Sequence, residues 1–121
     1  MFEIKIIDEF SAAHRLRNYK GKCENLHGHN WKIEVIVEGE NLDKTGLLID
    51  FGILRKKLKE VLTPLDHKNL NSIPFFRKNN PTSENIAVYI YKNLERVLDK
   101  KIRIKEIVVW ENEKQSASFK P

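Results

Sequence analysis

The run HGHNWKIEVIV, residues 27–37, alternates polar and apolar side chains as a strand with one buried face does. In an extended chain His27 and His29 share the parity of Trp31 and of the aliphatic residues that follow it, so both imidazoles lie on the apolar face. Gly28 between them adds no side chain to the opposite face. Two imidazoles at the end of a buried row can converge on one ion. This run therefore predicts a half-buried strand and two ligands of a metal site.

The N-terminal segment offers a third candidate ligand, His14. The even positions of this segment are mostly apolar, and His14 shares their parity: Phe2, Ile4, Ile6, Phe10 and Ala12. Asp8 interrupts the row, and a β-bulge there would resolve the conflict and re-aim His14. Three neutral imidazoles with an open fourth position are typical of catalytic zinc, whereas structural zinc usually has four protein ligands. We therefore expect His14, His27 and His29 to bind Zn²⁺.

Cys23 lies four residues before His27 and is the one cysteine of the chain. It belongs to a polar run with basic neighbours, where a lowered thiol pKa is expected; the alternative is a small buried apolar residue. One cysteine can form no intrachain disulfide and suits a reducing compartment. Cys23 is therefore a candidate reactive thiol.

The 121 residues include 22 basic and 17 acidic side chains, a net charge of +5. This length predicts a single domain, residues 1–121. The basic residues are scattered without an interleaved aromatic stripe, which argues against nucleic acid as a partner, whereas an anionic small-molecule substrate such as a phosphate ester fits the charge. No apolar run approaches the length of a membrane span and the N-terminus lacks a signal-peptide pattern, so we expect a cytoplasmic protein with no membrane partner.

The order of apolar patterns predicts an α+β fold. Residues 1–10, 29–39, 102–111 and 116–119 have strand patterns, the last two as a hairpin, and residues 47–49 add a short extended piece. Helices are predicted after two N-caps, Asp50 and either Thr82 or Ser83. Their inward stripes are Leu54, Leu58, Val61 and Leu62 in the first helix and Ile86, Ile90, Leu94, Val97 and Leu98 in the second. The expected architecture is an antiparallel four-stranded sheet with two helices on one face.

Other polar residues have two interpretations each. Asp66 and His67 are, on their own, a loop carboxylate and a surface histidine; together with Cys23 they would form a general acid and base system. Glu111 has the parity opposite to Trp110 at the end of the last strand. It is either a strand-end charge or a carboxylate that accepts two parallel hydrogen bonds from the amidine-like edge of a heterocycle.

Six ordered blocks cover nearly the whole chain: FSAAH at 10–14, CENLHGHN at 23–30, LLIDF at 47–51, LDHKNLN at 65–71, PTSENIA at 81–87 and WE at 110–111. Together they resemble the family of 6-pyruvoyl- and 6-carboxy-tetrahydropterin synthases, whose members have the tunnelling fold. The resemblance implies a zinc-dependent lyase that acts on 7,8-dihydroneopterin triphosphate. It implies that the three histidines hold the zinc, that Cys23 abstracts a proton, and that Asp66 and His67 relay or donate one.

The same resemblance suggests the product and the substrate contacts. The short chain and the sequence CENLHGHN more closely resemble the synthases that form 6-carboxy-5,6,7,8-tetrahydropterin. These synthases also release acetaldehyde and triphosphate, and they act in queuosine and 7-deazapurine precursor biosynthesis. The alternative is a 6-pyruvoyl-tetrahydropterin synthase of the tetrahydrobiopterin pathway, which eliminates triphosphate. Glu111 would anchor the pterin, and Thr82, Ser83 and Glu84 would contact it, although capping the helix is a sufficient role for these three. Family sheets assemble into barrels, so we expect a homo-oligomer with sites at subunit interfaces.

Two other functional classes stay open on the residues alone. Cys23 can be a covalent nucleophile activated by His67 and Asp66, an interpretation that leaves the paired histidines unexplained. The non-catalytic alternative is a binding module in which zinc is structural and the basic groups contact RNA.

Overall fold

The computed structural model describes residues 1–21 and 24–121. The strands are β1 (Phe2–His14), β2 (His27–Gly39), β3 (Lys68–Asn69), β4 (Arg103–Asn112) and β5 (Gln115–Phe119). The helices are α1 (Phe51–Leu62), α2 (Pro74–Lys78) and α3 (Ser83–Glu95), and residues Leu70–Ser72 form a 3₁₀ turn. The strands form one sheet in the order β3-β1-β2-β4-β5. Among the helices described, none combines the length and apolar character that crossing a membrane requires.

The long antiparallel pair of β1 and β2 carries the centre of the sheet, with Phe10 opposite Trp31 and His14 opposite His27. Their register is continuous along all of β1, so the bulge that could have resolved the conflict at Asp8 does not form. Asp8 stays on the core side opposite Ile33, where its Oδ1 accepts from the next amide at 2.8 Å and lies 3.5 Å from Nζ of Lys59 on α1. Because a cation of the helix reaches this carboxylate, the strand keeps its parity past it and His14 remains on the buried face.

Helices α1 and α3 cover that face of the sheet and enclose the core. Asp50 caps α1 by accepting from the amides of Gly52 and Ile53, as predicted. Thr82, not Ser83, is the N-cap of α3. The predicted inward stripes are buried with one exception, Val97, which is 40% exposed because α3 ends two residues earlier.

The sheet differs from the predicted four antiparallel strands. It has five strands and is mixed, because β3 pairs in parallel with Ala12 and Ala13 of β1. Residues 47–49, predicted to be extended, form no strand; the amide of Leu47 instead donates to the Asp43 carboxylate at 3.0 Å in a turn before α1. A strand of two residues and the five-residue helix α2 are too short to give a periodic pattern, which is why the sequence did not predict them.

Candidate active site

The adjacent ends of β1 and β2 bring three imidazoles together. His14 is the last residue of β1, His27 is its cross-strand partner, and His29 follows two residues later on the same face. One ring nitrogen from each histidine lies within 4.8 Å of the other two. His14 is 2% exposed, whereas His27 lies at the surface. The three imidazoles thus have the mutual placement that a metal site requires, and metal binding itself stays a prediction.

Backbone carbonyls determine which nitrogen of two rings carries the proton. Nδ1 of His14 lies 2.7 Å from the carbonyl oxygen of Pro81, and Nδ1 of His27 lies 2.8 Å from that of Asn25. A carbonyl only accepts, so each Nδ1 donates, and each neutral ring keeps an unprotonated Nε2. These two Nε2 atoms lie 3.1 Å apart. Two lone pairs at that distance repel each other unless a cation or a proton lies between them.

The third imidazole strengthens the case for a cation. Nε2 of His29 is buried and has no hydrogen-bond partner among the described residues. An unpaired buried nitrogen is costly, and coordination to a metal would satisfy it. The donor set of three imidazole nitrogens fits a divalent cation such as Zn²⁺ with an open coordination position. The residues present therefore fit the metal that the sequence predicts.

The environment of His14 favours its neutral form. Burial lowers the pKa of His14 below the ordinary value of 6.5, and repulsion from His27 and His29 lowers this pKa further, while the hydrogen bond to Pro81 acts in the opposite direction. A histidine binds a metal only when it is neutral. His14 is thus in the metal-binding state at neutral pH.

Trp31 packs directly against the histidines. Its ring centroid lies 4.8 Å from that of His14 and 5.2 Å from that of His29, both edge to face. The indole Nε1 donates to the carbonyl of Ala12 at 3.2 Å, which holds the ring in place. Trp31 is fully buried and limits the rotation of two of the three imidazoles.

Glu111 lies beside the histidines and borders a cavity. Its Oε1 is 3.6 Å from Nε2 of His29 and accepts from Nε2 of Gln115 at 3.2 Å. The cavity has a volume of about 620 Å³, the size of a small-molecule site, and its lining residues are Glu9, Gly28, His29, Asn30, Lys32, Glu111, Asn112 and Glu113. A larger cavity of about 820 Å³ lies near the start of α1 and contains none of the predicted site residues.

Asp66 and His67 form a pair at the edge of the sheet. Oδ1 of Asp66 lies 3.0 Å from Nδ1 of His67, and the same oxygen accepts from the amide of Ser11 at 2.9 Å. The Ser11 amide, with a smaller effect of His67, lowers the pKa of Asp66 below 3.8, so this carboxylate is ionised and can orient the imidazole. The side chain of His67 is 82% exposed.

This pair does not join the three imidazoles within the described part of the chain. Ser11 precedes His14 by three residues, which is about 10 Å along a strand. Cys23, the predicted third member of the acid and base system, lies outside the described residues. The structure therefore forms the pair of Asp66 and His67 without bringing it to the predicted metal site.

The segment 82–84 lies at the start of α3, one residue after the carbonyl that contacts His14. The hydroxyl of Thr82 accepts from the amide of Asn85 at 3.1 Å, which caps the helix. Ser83 and Glu84 form its first turn, where an acidic side chain is favourable. Their predicted contact with a pterin remains a prediction.

Sequence reasoning missed the partners that orient the imidazoles. Pro81 and Asn25 contribute backbone carbonyls, which no residue type signals. Trp31 was predicted only as a member of the apolar row. Its position two residues after His29 on one face was the available sign of a contact.

Comparison with known proteins gives one consistent family. The family model described as 6-pyruvoyl tetrahydropterin synthase matches residues 3–121. Human 6-pyruvoyl tetrahydrobiopterin synthase is 45% identical over 103 residues, with 74% of this chain and 71% of that protein covered. A putative 6-carboxy-5,6,7,8-tetrahydropterin synthase of Archaeoglobus fulgidus is 36% identical over 117 residues, with 97% of this chain and 94% of that protein covered.

A solved structure extends the similarity to the fold. The structure of Caenorhabditis elegans 6-pyruvoyl tetrahydropterin synthase matches with a TM-score of 0.89 and 32% identity. The match covers 99% of this chain and 95% of that chain. The mixed sheet with its helices is therefore an architecture shared with that enzyme.

Proposed function

Because this chain belongs to the 6-pyruvoyl tetrahydropterin synthase family, we propose that it is a zinc-dependent lyase that converts 7,8-dihydroneopterin triphosphate to 6-carboxy-5,6,7,8-tetrahydropterin. Acetaldehyde and triphosphate are the other products, and one water is consumed. The observation that carries the proposal is the group of three imidazoles beside the cavity that Glu111 borders. Within the described part of the chain, Nε2 of His29 in this group has no hydrogen bond. This product belongs to 7-deazapurine precursor biosynthesis, such as that of queuosine.

The alternative product is 6-pyruvoyl-tetrahydropterin, formed by elimination of triphosphate without cleavage of a carbon–carbon bond. The higher identity to the human enzyme favours this alternative, while the nearly complete coverage of the Archaeoglobus relative favours the carboxy product. The short chain and the block CENLHGHN are the additional basis for the carboxy product. The two reactions share their first steps, so the roles proposed for the residues are the same in both.

The metal would be held by His14, His27 and His29. When bound there, a divalent cation supplies Lewis-acid stabilisation for the negative charge that develops on the substrate side-chain hydroxyls. The carbonyls of Pro81 and Asn25 keep the Nδ1 protons in place, and Trp31 limits ring motion. This chain thus contributes three imidazoles fixed by secondary contacts, as metal ligands commonly are.

Proton transfer is assigned to Cys23, Asp66 and His67. Cys23 takes a proton from the substrate side chain; a thiol has an ordinary pKa of about 8.5, so a modest decrease makes the thiolate available near neutral pH. His67, oriented by the ionised Asp66, returns a proton on another face while triphosphate leaves with the electron pair of its carbon–oxygen bond. In the carboxy reaction, water then adds to the side chain, which is cleaved to a carboxylate and acetaldehyde.

Glu111 is assigned to the pterin. A carboxylate can accept two parallel hydrogen bonds from the ring amide and amino group of a pterin, as it does from a guanidinium. Glu111 is half-buried and lies next to His29, so it can hold the ring while the side chain of the substrate points toward the imidazoles. Thr82, Ser83 and Glu84 are assigned a supporting contact at the start of α3.

A homo-oligomer would bring the two halves of the site together. In a single chain, His67 is exposed, and its partner Asp66 is bonded to Ser11, about 10 Å along the strand from His14. A neighbouring subunit can present its own Asp66 and His67 to the histidines across an interface. A cytoplasmic location, expected from the sequence, is likewise a prediction and does not bear on the interface.

Product analysis tests the proposed function. Zinc-loaded protein is incubated with 7,8-dihydroneopterin triphosphate, and the products are identified by mass spectrometry, with 7,8-dihydroneopterin, which lacks the leaving group, as the control substrate. We expect 6-carboxy-5,6,7,8-tetrahydropterin and acetaldehyde in equal amounts. Accumulation of the 6-pyruvoyl compound would support the alternative, and an unchanged substrate would contradict both.

A further inference from the structure

The edge of β1 continues past β3 with side chains in place of a strand. The amide of Arg15 donates to Oδ1 of Asn71 at 2.9 Å, and Nδ2 of Asn71 donates to the carbonyl of Arg15 at 2.9 Å. Arg17 has the same two bonds with Asn80, at 2.9 and 2.8 Å. A carboxamide has the donor and acceptor of a peptide group, so each asparagine replaces one residue of a neighbouring strand. These two asparagine amides thus extend the ladder to both sides of Leu16, just after His14.

The backbone of Asn80 is also hydrogen-bonded to the start of α3. The carbonyl of Asn80 accepts from Nδ2 of Asn85 and from the amide of Thr82, both at 2.8 Å. Asn80 is therefore fixed to the segment after His14 by its side chain and to the start of α3 by its main chain. Its next residue, Pro81, is buried and provides the carbonyl that accepts from Nδ1 of His14.

We propose that Asn80 is a positioning residue of the metal centre. By joining Arg17 to the start of α3, it holds the Pro81 carbonyl against Nδ1 of His14 and so fixes the tautomer that directs Nε2 to the metal. Loss of such a secondary contact typically reduces metal affinity 10- to 100-fold. This inference rests on the metal binding proposed above and adds the residue that organises one ligand.

The chain offers two matched controls. Asn71 makes the same pair of bonds to Arg15 but does not precede the residue that contacts His14. Asn93 donates from Nδ2 to the carbonyl of Tyr89 at 2.8 Å, an amide-to-backbone bond inside α3. Asn71→Ala removes two such bonds, and Asn93→Ala removes one. Both replacements leave the bonds between Asn80 and Arg17 in place.

The test compares Asn80→Ala with Asn71→Ala and Asn93→Ala. Zinc affinity is measured by competition with a chelator, and the unfolding free energy of the metal-free protein is measured in urea. We expect Asn80→Ala to weaken zinc binding by about 10- to 100-fold, and each control to change it less than about threefold. Asn80→Asp, which keeps an acceptor for the Arg17 amide and loses the donor, is the second variant if Asn80→Ala does not fold, and we expect it to weaken zinc binding in the same direction.

A second readout reports the tautomer directly. Imidazole ¹⁵N chemical shifts of the metal-free protein should show a single tautomer of His14, protonated on Nδ1, in the wild type and both controls. We expect a mixture of tautomers in the Asn80 variants. If these variants keep the wild-type zinc affinity and the single His14 tautomer, the role of Asn80 is overturned while the proposed metal centre stands. A wild-type protein that binds no zinc would overturn the proposed metal centre as well.

Discussion

The Nε2 atoms of His14 and His27 lie 3.1 Å apart, although the proton of each ring is committed to a backbone carbonyl through Nδ1. Two acceptors therefore face each other at hydrogen-bond distance. The metal-free site is therefore electrostatically unfavourable, and a cation removes the repulsion. The repulsion between the two Nε2 atoms therefore lowers the stability of the fold when no cation is bound.

Zinc should therefore stabilise the fold. Since a ligand that binds only the native state adds about 2.7 kcal/mol at 100 times its Kd, we expect zinc to raise the thermal unfolding temperature by several degrees. Differential scanning calorimetry with and without a chelator measures this. The shift should vanish in His29→Ala, and an equal shift in that variant would mean that zinc binds elsewhere.

Cys23→Ala should abolish turnover and leave the metal in place. The thiol is assigned to proton transfer and the three imidazoles to metal binding, so the two properties should separate. Metal content by mass spectrometry and substrate consumption are measured on the same sample. Loss of zinc in this variant would show that the cysteine is a ligand and not a base.

Glu111→Gln should weaken substrate binding and retain zinc. The neutral amide offers one acceptor where the carboxylate offers two, so we expect KM to rise by roughly 10-fold or more, the loss of one charge-assisted hydrogen bond. Steady-state kinetics separate this from an effect on kcat. Glu113→Gln, which replaces an exposed neighbour that borders the same cavity, is the control and should change KM little. Equal KM values for the wild type and Glu111→Gln would remove Glu111 from the pterin site.

Sites shared between subunits predict complementation. His14→Ala and His67→Ala should each be inactive alone, because one lacks a metal ligand and the other lacks the proton donor. If His67 serves a neighbouring chain, mixed oligomers reassembled from both variants contain some intact sites and should regain a fraction of the wild-type activity. A mixture that stays inactive after verified subunit exchange argues for sites within one chain.

The outer face of the sheet provides a pH-dependent contribution to stability. The indole Nε1 of Trp110 donates to Oε2 of Glu34 at 2.5 Å, and Nζ of Lys5 lies 3.3 Å from the other oxygen. The bond from Trp110, followed by that from Lys5, lowers the pKa of Glu34 below 4.5. A lowered pKa in the folded state stabilises the protein above pH 4.5, and this stabilisation is lost as the pH falls through the folded-state pKa.

We therefore expect Glu34→Gln to reduce the unfolding free energy by about 1 kcal/mol at pH 7. The difference from wild type should shrink below pH 4.5. Urea unfolding at several pH values measures it, with Trp110→Phe as the background in which Glu34→Gln should cost less. A difference that stays constant down to low pH would mean that the glutamate acts through packing alone.

The grouping of the three imidazoles could be predicted from the sequence because all three lie on regular strands. The shared parity of His27, His29 and Trp31 follows from alternation along β2, and the same rule places His14 on the buried face once β1 is continuous. The N-caps Asp50 and Thr82 could also be predicted from the sequence, because their side chains accept hydrogen bonds from amides within the next three residues.

The remaining features depend on contacts that residue type does not signal. The Pro81 carbonyl contacts His14 from 67 residues away in the chain. Asn71 and Asn80 satisfy backbone groups that an ordinary strand would satisfy, so their role is visible only once the edge of β1 is placed. Asp66 and His67 likewise lie beside Ser11 because the next residues, β3, pair with β1. A strand as short as β3 has no sequence pattern.

Anomalous diffraction at the zinc edge from crystals of the zinc-loaded protein tests the central claim most directly. The account predicts one strong peak per chain at about 2.0–2.1 Å from Nε2 of each of His14, His27 and His29. A well-ordered crystal with these three imidazoles and no anomalous peak among them would contradict it.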